Sequence, residues 1–180
     1  MRDLDSIPWD RIVQFYGRAS NVPDAIRALS TKDPKRRAAA IEELRRCLEH
    51  QDGVIQATPI AVPFLISALE SASGDPADLL ELLTLLFDSA TFQSEDDPAL
   101  TPPPTLDELL AEEKLWPPFE SEDEDEALWE EPDVVDDVGE WAVLTAAQIR
   151  GARPLVERLA AKSAAAKKLL GRIDASERRR

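Results

Sequence analysis

Very few residues in this chain could serve as a nucleophile, a general base or a soft metal ligand. There is one cysteine, Cys47, and one histidine, His50, among 180 residues. One of each excludes an intramolecular disulfide and a structural zinc site, and a Ser-His-Asp triad would have to use His50. His50 falls at the end of a helix-forming run, where an imidazole can bond the last free carbonyls. Cys47 lies beside Leu44 and Leu48 on that run, the setting of a small buried hydrophobe. Carboxylates are the opposite case: with 36 of them, pairs suited to acid–base work or to magnesium can be drawn almost anywhere, and mark no site. The dense runs Glu95-Asp96-Asp97 and Glu122 to Glu126 lack the glycine turn and alternating spacing of a calcium loop. Gly151 and Gly171 are isolated, so no phosphate-cradling loop is present. No catalytic residue, metal ligand or cofactor is expected.

What the chain has in place of such a cluster is segregated charge. Residues 88–140 hold twenty acidic side chains and one basic one, Lys114, whereas residues 141–180 hold ten basic and three acidic ones. The net charge of −15 argues against an ordinary nucleic-acid binder, which needs a basic surface to neutralise phosphates. The basic tail (Lys162, Lys167, Lys168, Arg172, Arg178, Arg179 and Arg180) could touch an anion, but reads first as a solvated helix end that suits the helix dipole. No stretch approaches the roughly 18 uninterrupted apolar residues of a membrane span. The start, Met1-Arg2-Asp3-Leu4-Asp5, lacks the basic-then-apolar pattern of a signal peptide. A cytoplasmic protein with no membrane partner is expected.

The elements around these charges read as helices. Trp9 to Tyr16 forms a short amphipathic turn or two, closed by Gly17. Asn21-Val22-Pro23 opens a helix with Asn21 as its cap, and Asp33-Pro34 opens a longer one to about His50, with the stripe Ala38, Ile41, Leu44 and Leu48. Thr58-Pro59 starts another to about Ser71 that contains Pro63, a residue that should kink it or mark its first turn. Asp75-Pro76 starts the next, apolar on most of its circumference from Leu79 to Phe87. Sustained alternation is absent, so strands are not needed. Restarts at Asp33-Pro34 and Asp75-Pro76 suggest a repeated helix pair of about 35–45 residues.

The repeats occupy residues 1–90. An acidic, proline-rich insertion follows at 91–135, and a last helix pair at 136–175 completes the same domain. Half of the fourteen prolines lie between residues 91 and 133. Within the insertion, Thr105 and Glu108 stand at capping-box spacing before Leu106, Leu109 and Leu110. Glu120 to Glu126 is a charge run that cannot bury itself. After it, Val138 to Arg150 forms one helix, and Pro154 opens a final one through Leu159 and Leu169 to Ile173.

The order Trp9…Tyr16-Gly17…Val22-Pro23…Leu29…Asp33-Pro34…Arg37…Ala40…Leu44…His50-Gln51…Ala57-Thr58…Ala61-Val62-Pro63-Phe64-Leu65 resembles bacterial HEAT-repeat domain proteins over about residues 7–70. Asp52 stands between Gln51 and Gly53, where the family's turn has no residue. The resemblance implies an all-α fold: a short HEAT-like α-solenoid of about seven or eight helices in pairs, here interrupted by the insertion. It also implies protein binding, because such solenoids are mostly scaffolds. Some HEAT-like relatives act on DNA bases or tetrapyrroles, through basic grooves or acidic residues that have no match in this chain.

The most specific local feature is Trp116-Pro117-Pro118-Phe119, followed at once by the acidic run and then by Trp129. Two aromatics on a stiff extended backbone, flanked by Glu122, Asp123, Glu124 and Asp125, make a surface that a basic protein would select. The alternative is that Trp116, Phe119 and Trp129 pin the insertion to the chain's own groove, and both can hold if the acids face outward. The expected function is a non-enzymatic binding module, and specifically an immunity or inhibitor protein against a basic toxin such as a nuclease. The other readings are a structural scaffold in a larger complex and a carboxylate- or metal-dependent enzyme.

Overall fold

The structure, a computed structural model, describes residues 2–72, 76–94, 103–130 and 138–179, with residues 129 and 130 described by their backbone alone. These residues are mostly helical, as expected. After two 3-10 turns at Leu4–Ser6 and Trp9–Arg11 come α1 (Val22–Ala28), α2 (Pro34–Leu48), α3 (Ala57–Ser71) and α4 (Ala77–Ser94). The acidic segment that follows contributes α5 (Leu106–Leu109), a 3-10 turn at Glu112–Lys114, and α6 (Glu122–Glu130). The chain closes with α7 (Val138–Gly151), α8 (Arg153–Ala160) and α9 (Ala164–Glu177).

Two short hairpins correct the expectation that strands are absent. β1 (Val13–Gln14) pairs antiparallel with β2 (Gly17–Arg18), and β3 (Glu49–His50) with β4 (Gly53–Val54). Strands of two residues are too short to display alternation, which is why the sequence pattern passes over them. The first replaces most of the amphipathic turn expected over Trp9–Tyr16. Ile12 and Val13, both β-branched and buried, favour extended backbone, and Gly17 supplies φ +100° at the turn. In the second, Gln51 and Asp52 both have positive φ, 52° and 61°. That is what a two-residue type I′ hairpin turn requires, and Asp52 is the residue that makes the loop two residues long. Its N–H donates to Glu49 Oε1 at 3.0 Å. His50 therefore lies on a strand instead of ending a helix, and its ring packs against Phe15 and Tyr16 at 5.7 and 5.9 Å.

Side-chain amides tie each hairpin to the helices. Val13 donates its N–H to Gln56 Oε1 at 3.0 Å, and Val54 donates to Gln93 Oε1 of α4 at 2.8 Å. Thr58 joins α2 to α3, donating to the Leu48 carbonyl at 2.6 Å and accepting from the Ile55 N–H at 3.2 Å.

The helix starts follow the sequence grammar with three exceptions. Asp33 caps α2 by accepting from Lys35 and Arg36, and Thr105 with Glu108 forms the expected capping box on α5. Asn21 does not cap α1; its amide instead donates to Glu43 and, at 3.5 Å, to the buried Cys47 sulfur. The single final helix expected from Pro154 is two, because Ser163 turns extended and caps α9 by accepting from Ala166. The charge run after Ser121 is helical: Ser121 Oγ accepts from the Glu124 N–H at 3.3 Å, and the carboxylates of the first turn face the positive end of the helix dipole. The expected cap Asp75 and the run at residues 95–97 lie outside the described residues.

α4 is the centre of the packing. It contacts α7 and α9 most extensively and also α2, α3 and both strands of the second hairpin, while α1 packs on α2 and α8 on α9. Leu65, Leu80, Leu86, Phe87, Ile149 and Leu169 are all essentially inaccessible. α3 is apolar nearly all round, and Pro63 sits inside it, where its missing N–H leaves the Pro59 carbonyl without its usual helical donor.

Candidate functional site

The acidic segment at residues 103–130 is held to the helices by arginines of the N-terminal segment. Arg2, Arg11 and Arg18 pair in order with Asp107, Glu112 and Asp125, so the two segments run alongside each other in the same direction. Trp116 fixes the register: it donates its N–H to the Arg11 carbonyl at 2.9 Å, and its own carbonyl accepts from Arg11 Nε at 2.7 Å. Gln56 adds a buried link, donating to the Lys114 carbonyl at 2.7 Å, and Lys114 pairs with Glu140 of α7. Leu109 and Trp116 belong to the hydrophobic core itself.

Arg18 is the hub. Its guanidinium makes a bidentate pair with Asp125, Nε to Oδ2 at 2.6 Å and Nη2 to Oδ1 at 2.5 Å. Nη1 donates to the Asp10 and Pro117 carbonyls at 2.7 and 2.9 Å. The rings of Trp116 and Phe119 each lie 5.3 Å from the guanidinium carbon, within cation–π range. The arginine side chain is 8% exposed and that of Asp125 18%. A planar fork that satisfies a carboxylate bidentately while stacking on aromatics is a role lysine cannot fill. The hairpin carries Arg18, and the Trp-Pro-Pro-Phe strap carries its rings.

This geometry distributes six of the seven expected partner-binding residues into two sets. Trp116 is buried and Asp125 is occupied by Arg18, so both serve the intramolecular contact and neither is presented at the surface. Glu122, Asp123 and Glu124 are exposed on α6, and Phe119 is 56% exposed although one face covers Arg18. The Trp129 side chain lies outside the described residues. Glu120 and Glu126 are exposed as well and join the outward acids. The residues that sequence reasoning missed are Arg2, Arg11 and Arg18; their only signal is that basic groups near the N-terminus have a carboxylate-rich segment to answer them.

Elsewhere the titratable groups have local explanations. The hydrogen bond from Arg11 holds Glu112 below the ordinary carboxylate range and raises the guanidinium in return. Arg46, with help from Asn21, does the same for Glu43 against some burial, and burial pushes the Cys47 thiol up, away from the reactive range. Asp88 is pushed up by burial, opposed by Arg172 at 3.4 Å. It lines a cavity of about 380 Å³ between α4 and α9 with Phe87, Phe92 and Asp52. Among the described residues no group of three or more His, Cys, Asp or Glu side chains is placed to hold a metal ion, and no helix is long and apolar enough to cross a membrane.

Comparisons with protein-family models, with curated proteins and with solved structures returned no match to this chain.

Proposed function

We propose that the chain is a non-enzymatic binding protein that receives a basic protein partner on its acidic strap, in the manner of an immunity or inhibitor protein covering the nucleic-acid site of a basic toxin. The observation that carries this reading is the division of labour on α6. One carboxylate, Asp125, faces inward and is clasped by Arg18, while Glu122, Asp123, Glu124 and Glu126 face solvent on a backbone held by that clasp. Charges fixed in position cost less ordering entropy on binding than charges on a free loop. The exposed face of Phe119 beside them supplies an aromatic anchor of the kind that sets residence time. The helix pairs α1/α2 and α8/α9 suit a short HEAT-like solenoid, with the strap laid along the N-terminal segment.

The test is kinetic. Captured chain should bind a basic partner from its source organism quickly, and the on-rate should fall steeply with salt because steering decays over a Debye length of about 8 Å at physiological strength. Neutralising Glu122, Asp123 and Glu124 together should lower the on-rate more than it raises the off-rate, and Phe119→Ala should do the reverse. An acidic partner, or binding indifferent to salt and to the neutralisations, would remove this reading in favour of a structural scaffold.

A further inference from the structure

A cavity of about 330 Å³ opens between the Pro117-Pro118 strap and α6. Its walls are of two kinds. Pro117 and Pro118 form one apolar side, and Ala127 with Leu128 forms the other. Glu124 lies three and four residues before Ala127 and Leu128, so all three share one face of α6, and Glu120 stands on the strap opposite. The Arg18–Asp125 pair also lines the cavity. With one guanidinium and three carboxylates lining it, the cavity carries a net charge of −2. Asp125 cancels Arg18, so the unbalanced charge belongs to Glu120 and Glu124. Neither carboxylate has an ion-pair partner among the described residues.

Resting on the binding role argued above, we infer that this slot receives one lysine or arginine side chain of the basic partner. Such a side chain has an apolar stem and a cationic tip, and it buries the first against apolar surface while keeping the second among acceptors. The slot offers both: prolines, Ala127 and Leu128 for the methylenes, Glu120 and Glu124 for the cation. Its shape is set before binding. The two prolines fix their own φ and donate no backbone hydrogen bond, the Pro117 carbonyl is held by Arg18, and α6 is anchored through Asp125. A neutral or acidic side chain would leave two carboxylates desolvated without a partner, which costs affinity.

The experiment compares two double variants that remove the same charge from neighbouring positions at residues 120–124. Glu120→Gln with Glu124→Gln neutralises the slot; Glu122→Gln with Asp123→Asn neutralises the outer face. A blocked oligo-arginine peptide is titrated into the full chain by calorimetry, with the oligo-citrulline peptide as its uncharged counterpart. All four substituted residues are exposed, so the fold is unaffected, which circular dichroism verifies. The slot pair should weaken oligo-arginine binding on the order of tenfold, and the outer pair by only about two- to threefold through lost long-range attraction. The citrulline peptide should not bind either protein. Equal losses from the two pairs would overturn the slot while leaving the acidic-surface reading intact. No loss from either pair would overturn both.

Discussion

The helical core and the acidic strap are held by different physics. α3, α4 and α7 meet through side chains such as Leu65, Leu80 and Ile149 that are almost wholly removed from water, and their attraction is non-directional and spread over many contacts. The strap at residues 103–130 buries Leu109 and Trp116, and it is located by guanidinium groups that each engage a carboxylate, Arg11 and Arg18 also taking backbone carbonyls. A packed core tolerates shared adjustments, whereas a clasp made of a few directional pairs depends on each buried one, here chiefly Arg18–Asp125. Loss of the clasp should therefore free the outer part of the strap, residues 117–128, before the packed helices open, and that part carries the outward acids.

The sharpest way to break this comparison is a pair of substitutions, one on each side of it. Leu65→Ala should destabilise the whole molecule by about 2–5 kcal/mol, as other large-to-small core changes do. Leu65 is fully buried in α3, so the loss should appear in every probe at once. A shift worth less than about 1 kcal/mol in denaturant unfolding would mean that α3 does not pack as described.

Arg18→Ala should act locally instead. It leaves Asp125 in a largely buried place without its cation and removes the partner that Trp116 and Phe119 stack on, a loss of about 3 kcal/mol by analogy with other broken buried pairs. Hydrogen exchange should accelerate over residues 116–128 while α4 and α7 keep their protection. Arg18→Lys should recover little, because an ammonium cannot span both carboxylate oxygens and two carbonyls. Uniform acceleration across all helices would show that the clasp does not open apart from the core.

The two regions also differ in how far they can be read from sequence. Helix starts are local, so Asp33, Thr105 and Glu108 announce their caps by spacing alone, and the apolar face of α4 announces its central place. The buried state of Leu44, Phe64, Leu65 and Leu83 follows from the same periodicity. The clasp has no such signature: Arg18 and Asp125 are 107 residues apart, and an acidic run offers many equivalent carboxylates to any arginine. Trp116-Pro117-Pro118-Phe119 marks the right place on the strap, but what it faces depends on a hairpin whose strands are two residues long. The Asn21 amide is misread for a related reason, since capping preference cannot anticipate that Glu43 and Cys47 lie within reach.

A smaller effect separates the members of the clasp from one another. Arg2 and Asp107 are 43% and 77% exposed, and surface pairs of this kind contribute about 0–1 kcal/mol with some of that lost to salt. Arg2→Ala should leave strap protection within about 0.5 kcal/mol of the parent. A loss comparable to that of Arg18→Ala would mean that the clasp works as one cooperative network, and that its exposed end matters as much as its buried one.

The smallest expected effects are in titration, and they run in opposite directions in the two regions. Glu112 of the strap is held below the ordinary carboxylate range by Arg11, so its contribution is present above the unfolded value of about 4.3 and is lost as pH falls through the lowered folded value. Asp88, at the junction of α4 and α9, is raised by burial despite Arg172. Its contribution is fully present below the unfolded value of about 3.9 and is lost as pH rises through the raised folded one. Acidification from neutral pH should therefore tighten the α4–α9 junction before it loosens the strap. Amide exchange, corrected for its intrinsic pH dependence, should show protection in α9 rising as pH drops toward 4, while residues 112–116 hold steady and weaken only at lower pH. Asp88→Asn should remove the α9 trend and leave the strap trend untouched. If α9 and the strap instead lose protection together over one pH interval in both proteins, the two regions open as a unit and the distinction between core and clasp fails.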